Sequence, residues 1–333
     1  MNRPDRGAAL RGSFYCRKRS ALNNFIIALN AVVPFTIYIM FGYIMRLTGT
    51  VEEPFLKKLN QMVFRVFFPF MTFYNFCKID ADFSLNGGYI VLIISSLLIL
   101  VGVSFLIVPR LVPENARRGV TIQGIYRSNM ILFAIPLTQS IFGSSADTLT
   151  AVVTTVTVPL YNVIAVIVLE YFRGSRPTPG ELLKKIITNP LIRGAIAGLA
   201  VFLLGIKLPQ SVLSPVSAIS SMSTPLALFI LGGTLHFSAL RKNLGILTAI
   251  LGTKLVLLPA AAAAVSAVLR LSPQEMFLYF CMFATPVAAS SYPMAESMGG
   301  DGELAGQLVM VSTAASVFTL FGWIYLLKTL GMM

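Results

Sequence analysis

Apolar residues recur in runs of about twenty along nearly the whole chain, punctuated by glycine, proline and charged residues. A membrane-spanning helix needs about 20 mostly apolar residues. The runs predict ten such helices, at 25–45, 59–76, 88–108, 119–142, 148–171, 191–204, 212–236, 246–269, 275–298 and 304–327. Arg17, Lys18 and Arg19 precede the first run as they would in a signal peptide. Its length exceeds a typical signal core and no small-x-small cleavage pattern follows, so it reads as a permanent helix.

Ten spans invite a search for two fives, because secondary transporters are often built from inverted repeats. Phe133-Ala134-Ile135-Pro136 in span 4 recurs as Phe283-Ala284-Thr285-Pro286 in span 9, 150 residues on. Pro69 in span 2 has a counterpart in Pro225 of span 7, 156 residues on, and Val153-Thr154-Thr155 resembles Val311-Ser312-Thr313, 158 residues on. Five is odd, so the second copy enters the membrane from the opposite side. The expected fold is an all-α integral membrane protein of ten transmembrane helices in two inverted five-helix repeats, with broken, crossing helices 4 and 9. The expected divisions are a basic, disordered tail at 1–22, a first repeat at 23–172, a cytoplasmic linker at 173–190 and a second repeat at 191–330.

Composition narrows the function. Hydrophobic residues make up 56% of the chain and charged residues 12%, against roughly a quarter charged in a soluble domain. That excludes a water-soluble globule and leaves no room for a sizeable soluble domain. A net charge of +13 would suggest nucleic acid as partner for a soluble protein; here it reads as an orientation signal in a lipid bilayer, with no nucleic-acid partner. The loops after spans 1, 3, 5 and 7 carry thirteen Lys and Arg and the opposite loops four, which makes the first set cytoplasmic and both termini extracytoplasmic. Residues 1–20 hold six Lys and Arg and break this rule; they read as an upstream extension outside the working protein. Cys16, Cys77 and Cys281 have no CxxC spacing and His236 has no metal-ligand companions, so neither a disulfide framework nor a metal or other cofactor is expected. HExxH, GxSxG and Walker motifs are also missing from the sequence, and no enzyme is expected.

The prolines carry the candidate chemistry. A proline inside a helix removes a hydrogen bond and displaces the carbonyl four residues earlier, here Leu132 for Pro136 and Met282 for Pro286. In hydrocarbon such groups must be satisfied by protein or line a wet cavity. Breaks at Pro136 and Pro286 therefore predict one shared cavity, into which half-helices point free N–H groups that favour an anion such as a carboxylate. Asn129, seven residues before Pro136, falls on the same helix face and offers an amide donor. Ser290 and Ser291, between Pro286 and Pro293, make span 9 polar at this depth. Arg127 reaches either the cavity or a headgroup, while Arg65 and Lys254 read as snorkelling to the interface. The expected substrate-binding residues are Arg127, Asn129, Ile135, Pro136, Leu137, Thr285, Pro286, Ser290 and Ser291. Asp80, Asp82, Glu170 and Glu296 all fall at span ends, so no relay identifies the coupling ion, and H+ and Na+ both stay open.

These residues resemble the auxin efflux carrier family, which includes the plant PIN-type exporters and compact bacterial permeases. The likeness rests on Gly42-Tyr43 with Arg46, on Asn60 through Pro69, and on Arg127, Asn129 and Ile135-Pro136-Leu137 followed by Phe142-Gly143. It continues through Asn189-Pro190 and Ala295-Glu296 with Gly299-Gly300-Asp301. The resemblance covers about residues 24–330. It implies a scaffold and a transport domain, elevator-type movement, frequently a homodimer, and contact between Asn129 and the substrate carboxylate. Ala134 and Ser290 depart from the glycine and asparagine common there. The short linker favours a bacterial-type permease of the plasma (bacterial inner) membrane, exporting a small organic anion such as malate, malonate or an auxin-like acid. A sodium-coupled symporter of the bile-acid type is the alternative.

Overall fold

A computed structural model describes residues 32–77, 87–174, 178–235 and 237–333. The tail at 1–22, with Cys16, and His236 lie outside the described residues, as do Asp80 and Asp82. The first helix, α1, is described from Val32 to Leu47. It is followed by α2 (53–77), α3 (Gly87–Leu111), α4 (Asn115–Tyr126), α5 (130–142) and α6 (Asp147–Tyr171). Next come α7 (Pro179–Thr188), α8 (Pro190–Leu203), α9 (Gln210–Thr234), α10 (244–268), α11 (Pro273–Ala284), α12 (Ser291–Ser297) and α13 (Gly302–Thr329). Among the described residues there is no strand, only one isolated antiparallel bridge between Ser128 and Val287.

Five helical stretches are long and apolar enough to cross a membrane: Gly87–Leu111, Met130–Tyr171, Gln210–Thr234, Leu240–Val268 and Gly302–Thr329. The second has 42 residues, about 60 Å of helix and twice the hydrocarbon thickness. It is two legs, because Gly143 closes α5 at φ 64°, ψ −155°, a backbone conformation open to glycine. A 3-10 turn at Gly143–Ala146 then leads into α6. The outer faces carry exposed Leu98, Ile99, Leu106, Leu203 and Val268, as a lipid-facing surface requires. Among the described residues the only regular structure is helical, and the chain is a multi-pass membrane protein.

Three helices contain a π-helical turn, Val63–Phe67 in α2, Met130–Ala134 in α5 and Thr253–Leu257 in α10. Each ends two residues before a proline, Pro69, Pro136 or Pro259. The cause is local: the ring cannot donate and crowds the carbonyl four residues back, and a wider turn makes room for both. One freed carbonyl finds a side chain: Leu255 O, four residues before Pro259, accepts from Trp323 Nε1 at 2.9 Å. In the π turn before Pro69, Phe67 O also accepts from Ser223 Oγ, at 3.0 Å.

The helices form two bodies around one continuous core, joined by contacts of α6 with α2 and α8 and of α12 with α2 and α9. In one, α2 lies along α8 and α9, and α1 presses on α9 so closely that a Cβ on Gly42 or Gly232 would stand 1.9 Å from the facing carbonyl of Phe229 or Ile39. The other holds α3 to α6 and α10 to α13 around Phe277, Phe280 and Leu308. Residues 173–190, expected as a plain linker, contain α7, started by a Thr178–Glu181 capping box. The Thr178 backbone and hydroxyl groups hold the Glu181 carboxyl below its usual range. This exposed helix bends 67° into α8.

Candidate functional site

Two breaks meet inside the second body. After Tyr126 the chain becomes extended at Arg127 (φ −85°, ψ 116°) and stays non-helical through Asn129. After Ala284 it does the same at Thr285 (φ −73°, ψ 152°), and α12 begins only at Ser291. The two segments run antiparallel: Asn129 N–H donates to Pro286 O at 2.8 Å, beside the Ser128–Val287 bridge. Val287 N–H donates to Ser312 Oγ at 3.1 Å. Met282 O, the carbonyl that Pro286 frees, accepts from the Ser128 hydroxyl and from Tyr161 OH at 3.0 Å. Protein groups thus satisfy backbone that the bilayer could not.

Around this crossing lies a cavity of about 340 Å³. Ser128 to Leu132 and Ala288 to Ser290 form one wall, Val158, Tyr161 and Asn162 of α6 another, and Phe35, Met71, Ser221 and Pro225 of the α1–α2–α9 body the third. The first turn of α5 therefore borders the cavity, and its leading N–H groups have no intrahelical acceptor.

The electrostatics are one-sided. Arg127 is 2% exposed; Nη2 donates to Asn162 Oδ1 at 2.5 Å and Ser290 Oγ at 2.7 Å, and Nη1 contacts Met294 Sδ at 2.9 Å. Among the described residues no carboxylate pairs with it; Arg117 and Arg173, near the helix ends, have acidic partners. The Nδ2 atoms of Asn129 and Asn162, both cavity-lining, are buried without an acceptor among the described residues. A guanidinium and two asparagine side chains line one small space.

Of the expected site residues, Arg127, Asn129 and Ser290 line the cavity, whereas Ile135, Pro136, Leu137, Thr285, Pro286 and Ser291 do not. Thr285 and Ser291 are buried beside it with hydroxyls lacking a partner among the described residues. Pro286 lies in its break, but Pro136 does not. The first break falls at 127–129, and Pro136 sits in the opening turn of the α-helical part of α5, its clash absorbed by the preceding π turn. The two FAxP runs are therefore not at equivalent places. Asn129 lies in the break itself, not on a helix face shared with Pro136. Arg127 turns inward, and so does Lys254: expected to snorkel, it is 0% exposed and donates to the Ser128 hydroxyl. The reason is its place in the π turn of α10, which packs against α4, α11 and α13.

Sequence reading missed Ser128, Tyr161, Asn162 and Lys254. The polar Asn162, three residues after Pro159 within a span, was the signal available for that residue. Tyr161 and Ser128 carry no comparable mark.

Residues 180–324 match the family model described as membrane transport protein. The chain is also similar to an uncharacterized transporter of Methanothermobacter thermautotrophicus, 23% identical over 306 residues that cover 90% of this chain and 98% of the relative. Both likenesses indicate a transport protein and not an enzyme.

Proposed function

We propose that this protein is a secondary transporter that exports a small organic anion, a carboxylate such as malate, malonate or an auxin-like acid, across a plasma (bacterial inner) membrane. One observation carries the reading: Arg127, buried at the crossing of two broken helices, has no carboxylate partner among the described residues and lines a cavity together with Asn129 and Asn162, whose buried amide nitrogens lack an acceptor there. A buried charge is costly unless compensated. An anionic cargo supplies the compensation, held by Arg127, Asn129, Asn162 and the leading N–H groups of α5.

The architecture proposed for it is ten spans in two inverted repeats. In support, α2 and α9 both span 25 residues with starts 157 apart, at Glu53 and Gln210, and α3 and α10 repeat that displacement from Gly87 to Leu244. Helices α4 and α11, each of 12 residues, start 158 apart, at Asn115 and Pro273. The antiparallel crossing suits an inverted pair. Elevator-type movement suits two bodies with the crossing carried by one of them. The cytoplasmic placing of the basic loops, the outward direction and a homodimer rest on charge bias and family resemblance.

The test is efflux of radiolabelled malate, malonate or indole acetate from proteoliposomes. Asn129→Ala is expected to cut carboxylate flux at least tenfold at equal reconstituted protein. Unchanged flux would remove Asn129 from the site, and no flux of any acid by the wild type would remove the anion reading.

A further inference from the structure

Lys254 is the second buried cation at the crossing, and anion binding alone gives it no role. Its ammonium is fully buried at membrane depth, and its one hydrogen-bond partner among the described residues is the Ser128 hydroxyl, which in turn donates to Met282 O. Ser128 lines the cavity, whereas Lys254 stands behind it. An ammonium has three protons to donate, and a lone one in a low-dielectric interior is strongly penalised.

The packed elements do not compensate it. On α11, Glu275 is engaged with Ser272 at the helix start, Tyr279 donates to Ser96, and Cys281 is a buried free cysteine. On α13, Glu303 accepts from Gln307, Tyr325, two residues past the Trp323 that bonds Leu255 O, is exposed, and Lys328 lies in the last turn. On α4 and its break, Arg117 pairs with Asp301, Arg118 bonds Val112 O and Pro109 O, Tyr126 donates to Tyr161 O, and Arg127 adds positive charge. Tyr161 of α6 shares the Met282 acceptor. No anion faces the ammonium from any of these elements among the described residues.

We propose that Lys254 is a positioning residue whose protonation is linked to cargo: neutral when the cavity is empty, it takes a proton from water on Nζ as an anion enters, and releases that proton when the anion leaves. The proposal rests on the anion reading of the crossing. The balance is one amine, one proton and one anion giving one ammonium–anion pair separated by the Ser128 hydroxyl. At about 6 Å and an effective dielectric of about 20, the pair is worth about 100-fold in anion affinity. By linkage the anion favours the proton by the same factor.

The experiment is calorimetric titration of purified full-length protein with malate, malonate and benzoate from pH 6 to 9, in buffers of different ionisation enthalpy. Malonate and malate still hold part of their second proton near pH 6, so the slope and the proton uptake are read from about pH 7.5 upward, where all three acids are fully ionised and their own protons do not intervene. The wild type is expected to weaken as pH rises and to take up a proton per anion above the pH at which the empty protein's Lys254 is neutral. Lys254→Met is expected to bind about 100-fold more weakly, with flat pH dependence and no uptake. Lys254→Arg, permanently charged, is expected to keep affinity and lose the pH dependence. A Lys254→Met protein, monodisperse on gel filtration, that kept wild-type affinity or the wild-type pH slope would overturn the proposal and leave the anion reading standing. Failure of the wild type to bind any of the three acids would overturn both.

Discussion

Replacing Arg127 by Gln separates the stability of the crossing from its affinity for cargo, because the first is expected to change little and the second to fall steeply. In the empty protein Arg127 makes charged hydrogen bonds to Asn162 and Ser290, each worth about 1.5–3 kcal/mol. Against this stands the burial of an uncompensated charge, an effective penalty of several kcal/mol. Gln keeps an amide donor and removes the penalty, so the melting temperature of the empty protein is expected to stay within a few degrees of wild type. Bound cargo tells the other half. A carboxylate about 4 Å from the guanidinium gains about 4 kcal/mol at an effective dielectric of about 20. The neutral amide recovers part of it, leaving a loss of about 100- to 1,000-fold in affinity. Thermal-shift titration with malate, malonate and benzoate reads both quantities on one sample, since a ligand of the native state raises its stability. An Arg127→Gln protein that melts like wild type and binds within threefold of it would refute the assignment of Arg127 to the anion.

Other parts of the account are open to equally simple tests. Gly232→Ala must separate α1 from α9 by about 1.5 Å to free its Cβ from Ile39 O, a strain of about 1–3 kcal/mol that differential scanning fluorimetry should record as a melting temperature several degrees lower. Trp323→Phe removes the donor to Leu255 O and is expected to cost about 1–3 kcal/mol. Adding Pro259→Ala restores a backbone donor to that carbonyl, so the double mutant should recover part of the loss; strict additivity would show that the indole bond does not answer the proline.

Much of the scaffold is legible in the sequence because apolar run length is a direct consequence of bilayer thickness. The run predicted at 88–108 lies within Gly87–Leu111, and that at 148–171 within Asp147–Tyr171. The site was legible only in part. Arg127 and Asn129 stand out as polar residues at membrane depth, but the proline taken to mark their break was the wrong one. Pro136 is absorbed by a π turn, while 127–129 open where no proline stands, held by Pro286 O across the crossing. That hydrogen bond joins residues more than 150 positions apart, and no local pattern encodes it. Distance along one helix alone makes Lys254 a snorkelling residue, whereas its burial is decided by α4, α11 and α13 packing around it. The amphipathic α7 was hidden for a different reason: its ten residues are too short to register as a span.

The placing of the cargo at the crossing can be measured by substrate protection. Leu132 lines the cavity and is partly exposed, so Leu132→Cys in a background lacking Cys16, Cys77 and Cys281 offers one thiol beside Asn129 to an anionic methanethiosulfonate. The account predicts that a transported carboxylate slows modification with the same concentration dependence that saturates its flux, and that Arg127→Gln abolishes this protection. A modification rate indifferent to a carboxylate that the same protein transports saturably would place the cargo elsewhere and contradict it.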